Sequence, residues 1–139
     1  MNEELQGKYL EFQLLQQQIQ NLQQQLELIQ SQLMQLASLN ESLKEIKRTK
    51  AGTEVLFPLG AGVYAKSSLQ DNENIIMNVG AKTAVAKNIK DSCEIIEKQI
   101  EDMKKVAKDL TDELGRSLFR GQALQEELQV MFQEQEKKK

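Results

Sequence analysis

The chain reads as an α+β protein: a long antiparallel coiled-coil hairpin that carries two central β-hairpins and assembles through them. Three observations lead there. Apolar residues recur at alternating steps of three and four through the first and last thirds, the a/d pattern of a coiled coil. In between, the period falls to two around the chain's only proline and a cluster of glycines. The two outer stretches match in length, roughly 40 helical residues each, or about 60 Å at 1.5 Å per residue. Equal arms around a compact middle predict a chain that folds back on itself, with both termini at one tip.

The first arm is expected over residues 1–50. Phe12, Leu15, Ile19, Leu22, Leu26, Ile29, Leu33 and Leu36 follow the 3-4 spacing without a break. Leu5 extends the seam backwards at an a position, and Lys8 takes the next d position. Going forwards, Asn40 falls on a, Leu43 on d and Lys47 on a. A polar a residue such as Asn40 either fixes register at a cost in stability or marks a seam that loosens towards its end. The run "LLQQQIQNLQQQL" has a low-complexity look, but its glutamines fill outer positions while Ile19, Leu22 and Leu26 hold the seam. It is a helix with a neutral polar surface. Few charges lie between Gln13 and Ser31, so this surface is not expected to sort partners by sign.

The middle, residues 51–87, is expected to form two β-hairpins. "TEVLF" is β-branched and aromatic, "PLGAG" is a turn cluster, and "VYAKSSL" is a second extended run. "QDNEN" is a loop of turn formers. "IIMNV" places Ile75, Met77 and Val79 on one face and Ile76 and Asn78 on the other, and "GAK" turns the chain into "TAVA". Isolated hairpins leave an apolar face and unpaired edges. Val55, Phe57, Val63, Ile75, Met77 and Val79 need a cover that two thin helices cannot supply. The hairpins are therefore expected to pair with hairpins of other chains, with Pro58 and Leu59 in the same assembly interface.

The last arm is expected over residues 88–135, with Asn88 as N-cap and Asp91 three residues on, followed by a basic tail over 136–139. Ile89, Cys93, Ile96, Ile100, Met103, Ala107, Leu110 and Leu114 repeat the heptad spacing, and Ser117, Gly121, Leu124, Leu128 and Met131 continue it. Gly115 and Gly121 each cost the helix about 1 kcal/mol relative to Ala. Gly121 lies on the seam, where it either allows close helix approach or marks a flexible point. Cys93 also lies on the seam and reads as a small buried thiol, since no basic partner that would activate it is visible.

Composition removes most function classes. The chain has 139 residues, 40% apolar but only 4% aromatic, thin material for a globular core. A net charge of −3 argues against a nucleic-acid partner, which needs clustered Lys and Arg. With one cysteine and no histidine there is no intrachain disulfide, no metal cluster and no histidine base. No cofactor is implied. The beginning "MNEELQGKYLEFQ" is too polar for a secretory signal, and no apolar run approaches the ~20 residues of a membrane span. A soluble, intracellular protein with no membrane partner is the expectation. "PLGAG" lacks the spacing and following helix of a dinucleotide motif, and no nucleophile–base pair stands out, so an enzyme is not expected.

The order of long helix, "EVLFPLGAGVYAK", acidic turn, "IIMNVGAKTAVAKN", long helix resembles the alpha-type subunits of prefoldin, most of all the archaeal ones. The resemblance covers essentially the whole chain. Its most specific parts are "PLGAG", residues 58–62, and "NVGAKTAVAKN", residues 78–88. It departs from the pattern at Gly115 and Gly121 within the second helix and in the basic tail. The resemblance implies a cytoplasmic hexamer of two alpha-type and four beta-type subunits whose hairpins close into β-barrels. It also implies an ATP-independent holdase, a chaperone that captures unfolded proteins at the coiled-coil tips and passes them to a group II chaperonin. Candidate client-binding residues lie at the two chain ends: Leu5, Tyr9, Leu10, Phe12 and Leu14, and Leu124, Leu128, Val130, Met131 and Phe132. Leu5, Phe12, Leu124, Leu128 and Met131 are seam residues; the other five lie off the seam and are better placed to meet a client. The alternative is a structural tether whose arms are spacers, against which the off-seam aromatics count.

Overall fold

A computed structural model describes residues 3–137. The order is α1 (Glu3–Arg48), β1 (Glu54–Gly60), β2 (Val63–Ser68), β3 (Asn74–Asn78), β4 (Ala84–Asn88) and α2 (Ile89–Lys137). Two long helices with two antiparallel hairpins between them are thus the architecture expected. The helix limits shift slightly. α1 closes at Arg48, where the Thr49 amide donates to the Glu45 and Ile46 carbonyls at 3.1 Å each and the Thr49 hydroxyl donates to Glu45 O at 2.7 Å. Those bonds satisfy carbonyls that the last turn leaves without a helical donor. α2 starts one residue after Asn88, whose Oδ1 accepts from the Lys90 amide at 2.7 Å and the Asp91 amide at 3.4 Å. Asn88 is therefore the N-cap. α2 runs on to Lys137, two residues past the expected end; of the basic tail, residues 138 and 139 lie outside the described residues.

The chain packs as two units. One joins the first helix up to Gln32 with the second from Met103 onwards; the other is Leu33–Asp102. In the first unit the helices pair antiparallel. Lys8 Nζ meets Glu127 Oε2 at 2.9 Å, Arg120 Nη2 meets Glu11 Oε1 at 3.1 Å, and Gln18 Nε2 donates to Glu113 Oε1 at 3.4 Å. As the number rises in α1 it falls in α2. The seam is as the spacing requires: Leu5, Leu22, Ser117, Gly121, Leu124 and Leu128 are buried, and the remaining a and d residues are half-buried. Neither Gly115 nor Gly121 interrupts α2. A Cβ built on Gly121 would lie 3.7 Å from Ile19 Cδ1 and 3.7 Å from Leu15 Cδ2, ordinary contact distances. Close helix approach does not require the glycine.

In the second unit Leu43, Ile89, Cys93 and Ile96 form the core, joined by Leu36, Ile46, Ile75 and Ile100. Cys93 is buried there as an unpaired thiol. Asn40 is on the seam, 7% exposed; its Nδ2 donates to Glu97 Oε1 at 3.4 Å, while its Oδ1 is buried with no hydrogen-bond partner among the described residues. One seam assignment fails: Lys47 is exposed, and Ile46 takes the inward place. The step after Leu43 is three rather than four. The helix ends within two residues, and burying Ile46 is favourable where burying an ammonium is costly.

β1 pairs antiparallel with β2 and β3 with β4, as two separate two-stranded sheets. The residues expected to turn the first hairpin, Pro58 to Gly60, belong to β1. Pro58 pairs with Tyr64 and Gly60 with Val63, with a bulge between Pro58 and Gly60. A proline without an amide donor is tolerated at such an edge and bulge. The chain turns through Ala61 (φ 51°) and Gly62 (φ 81°), and in the second hairpin through Ala81 (φ 50°) and Lys82 (φ 60°). Positive φ at both central residues marks the tight two-residue loops that match strand twist. Val79 stands outside β3 and opens the second turn, its amide donating to Thr83 O at 3.0 Å. Between the hairpins, Asp71 Oδ1 accepts from the Glu73 amide at 2.8 Å and the Asn74 amide at 3.2 Å, and Asn72 Nδ2 donates to Thr49 O at 3.0 Å. The Glu73 amide, then the side-chain and backbone amides of Asn74, hold the Asp71 carboxyl below the usual range.

Candidate functional site

Two surfaces carry apolar side chains that the chain itself leaves in water. The first is the end of the first unit, where the early turns of α1 meet the late turns of α2. The ten residues expected to meet a client divide by burial. Leu5, Leu124 and Leu128 are buried and fill the seam, so they offer no surface while the helices stay paired. Phe12 and Met131 are half-buried. Tyr9, Leu10, Leu14, Val130 and Phe132 are exposed, from 43% for Tyr9 and Phe132 to 58% for Leu14. A buried seam holds both helices in place, and residues outside the a and d positions then point away from it. The same rule also marks Leu28, Val106, Leu118 and Phe119, of which Leu118 and Phe119, following seam residue Ser117, are nearest the α2 end in sequence; Phe119 is 77% exposed. A criterion restricted to the chain ends leaves these two out, although the heptad count alone finds them.

Beside these side chains lies a groove of about 660 Å³ lined by Leu5, Ala123, Val130 and Met131 and by Glu4, Lys8, Glu126, Glu127, Glu134 and Gln135. The Lys8–Glu127 pair crosses it. The bond to Glu127 raises the Lys8 ammonium above its ordinary value, and the same bond holds the Glu127 carboxyl below its own. Both side chains are substantially exposed, so the pair contributes to helix register more than to stability.

The second surface is the hairpin pair. On the first hairpin Leu56, Phe57, Leu59, Val63 and Tyr64 are all more than half exposed, and Pro58 is exposed with them. Leu56 pairs with Lys66 and Phe57 with Ala65, so apolar side chains stand on both faces. The second hairpin differs from expectation. Ile75 packs against the core of Leu43, Ile89, Cys93 and Ile96, and Met77 is half-buried beside Leu39 and Leu43. The helices of the chain itself cover this face, because Leu39, Leu43 and Ile96 present an apolar surface at the point where β3 passes. The open face is the opposite one, with Ile76 at 78% exposure. Val79 and Val85 are exposed as well. With two strands to each sheet, each strand has one edge unpaired within the chain.

Among the described residues no group of three or more His, Cys, Asp and Glu could hold a metal ion, and no helix is long and apolar enough to cross a membrane. The model of the family described as "Prefoldin subunit" matches residues 15–138. The chain is similar to prefoldin subunit alpha of Methanococcus aeolicus, 31% identical over 136 residues that cover 98% of this chain and 92% of that one. It is also similar to prefoldin subunit alpha of Methanococcus maripaludis, 31% identical over 105 residues, 76% of this chain and 71% of the relative. Among solved structures, the filamentous PFD of Methanocaldococcus jannaschii, determined by cryo-EM, shares the fold. Its TM-score is 0.68 at 17% identity, over 83% of this chain and 95% of that one. With two helices, two hairpins between them, a family match over most of its length and such relatives, the chain belongs to the prefoldin family as an alpha-type chaperone subunit.

Proposed function

We propose that this subunit works as part of an ATP-independent holdase: it assembles through its hairpins, captures unfolded polypeptides on the off-seam apolar residues of its tip and releases them to a group II chaperonin. The partners are beta-type subunits, four to two copies of this chain, whose strands complete the open hairpin edges in a barrel. The work is done in the cytoplasm, and the subunit performs no catalysis.

The observation that carries this reading is five exposed apolar side chains, Tyr9, Leu10, Leu14, Val130 and Phe132, beside a seam that is already filled. Their energetics explain why assembly matters. Complete burial of such a side chain gives about 1.5–3 kcal/mol; each is already partly covered, so five together offer on the order of 4–8 kcal/mol. Association costs an estimated 4–15 kcal/mol. One tip alone therefore holds a client weakly. Several tips on one scaffold convert each further contact into an intramolecular one, and avidity rises without new chemistry.

The test is a complex whose alpha-type chains lack residues 1–12 and 128–139. Expected is full assembly by mass, with sharply reduced suppression of aggregation of a denatured client. The intact complex should protect equally with or without ATP and with a chelator present. Equal protection by the truncated complex would move capture away from the tips, and a nucleotide requirement would overturn the holdase reading.

A further inference from the structure

The tip groove has an apolar floor and an acidic rim. Val130 and Met131 offer apolar surface over the buried Leu5, and Glu4, Glu126, Glu127 and Glu134 line the groove with them. Among the described residues that line it, Lys8 is the single cation, and it is bound to Glu127 at 2.9 Å. Glu4, Glu126 and Glu134 have no ion-pair partner among the described residues. The following turns of α1 differ, since the stretch from Gln13 to Ser31 is nearly uncharged. An apolar chain segment entering this groove meets four carboxylates against one ammonium, a net charge of −3, so its own charge affects how well it binds.

We propose that the tip groove selects among unfolded clients, favouring segments in which Lys or Arg flank apolar residues and disfavouring those flanked by Asp or Glu. The inference rests on tip capture and adds a substrate class to it. The apolar floor supplies contact that does not depend on sign. The rim supplies an attraction or repulsion of three charge pairs at the surface, where the dielectric is high and salt screens them. Three such pairs correspond to about a tenfold difference in affinity at low ionic strength, fading once the Debye length falls to a few ångströms near 1 M salt.

The experiment uses the intact complex and three fluorescent unstructured peptides with the same apolar residues, flanked by three Lys, three Gln or three Glu. Binding is followed by anisotropy from low salt to ~0.5 M, beyond the ~0.1 M at which the Debye length is about 10 Å. Expected is a preference of Lys over Gln over Glu that spans about tenfold and narrows with salt. A complex carrying Glu4→Gln, Glu126→Gln and Glu134→Gln should bind the Lys and Glu peptides alike. Equal binding of the Lys and Glu peptides, or a preference that survives the triple substitution, overturns the inference. The Gln peptide separates the two levels. If it binds and no preference exists, tip capture stands and the groove is not selective. If no peptide binds, tip capture itself fails and selectivity with it.

Discussion

Replacing Gly121 by Ala should stiffen the arm rather than split it. Two contributions act in the same direction. Glycine inside a helix is about 1 kcal/mol less favourable than alanine. The new methyl would enter a buried position at 3.7 Å from Ile19 Cδ1 and Leu15 Cδ2, and burying one carbon adds about 0.8 kcal/mol. The sum is about 1.8 kcal/mol. Gly115 and Gly7 are internal controls, because a Cβ at either meets nothing within 4 Å. Alanine there should give only the helix contribution, about 1 kcal/mol. Native-state hydrogen exchange on the assembled complex reads this locally, without requiring two-state unfolding of an oligomer. Expected is slowing of amide exchange around Ile19 and Gly121 by more than tenfold, and by less for Gly115→Ala. Faster exchange in Gly121→Ala would refute the packing argument and assign the glycine a role in close approach. The same variant informs function. Leu5, Leu124 and Leu128 reach a client only if the helices separate, so unchanged capture by a stiffer arm leaves contact to the off-seam residues.

Phe57→Asp places a carboxylate where assembly would bury the ring, at a cost of several kcal/mol if it stays ionised and unpaired. Native mass spectrometry should show dissociated subunits that keep most of their helix by circular dichroism, and full-mass assembly would remove Phe57 from the interface. The Lys8–Glu127 pair predicts a pH window. The Glu127 carboxyl is depressed, so its contribution is present above the ordinary carboxylate range and lost as pH falls through the depressed value; the Lys8 ammonium is raised, so its contribution is lost as pH rises through the raised value. NMR titration should place the Glu127 midpoint below that of an ordinary glutamate, and Lys8→Met should return it to normal; a midpoint insensitive to Lys8 would deny the pair.

The seam was legible because burial imposes its period directly on the sequence. From Leu5 to Leu43 in α1 and from Ile89 to Met131 in α2, nearly every a and d residue is buried or half-buried. The pattern fails at Lys47, close to the end of α1, where Ile46 instead packs on the core that Ile75 of the second hairpin also joins. The same event hid the cover over Ile75 and Met77, since a heptad count does not say which helix residues a later strand will cross. Pro58 and Gly60 resemble turn residues by composition, but hydrogen-bonded pairing carries β1 through a bulge that alternation cannot register. The acidic groove depends on residues near 4 and near 130 becoming neighbours, which only the antiparallel register decides.

The distribution of apolar residues along the chain also accounts for the neutral surface between its two sticky regions. A helix that carried exposed leucines at every turn would aggregate through its arms before its hairpins found their partners. Between Gln13 and Ser31 the outer positions are mostly glutamine, which is helix-compatible, uncharged and well hydrated. Glutamine there leaves the seam as the main apolar contact of the stretch, apart from the exposed Leu14 and Leu28, and gives α1 few charges to attract partners of either sign. Glutamate or lysine in those places would keep the helix and the solubility, but would add charge to a surface of α1 that carries almost none, and contacts there would become sensitive to salt. If capture takes place at the tip as proposed, the glutamine run favours recognition there over recognition along α1.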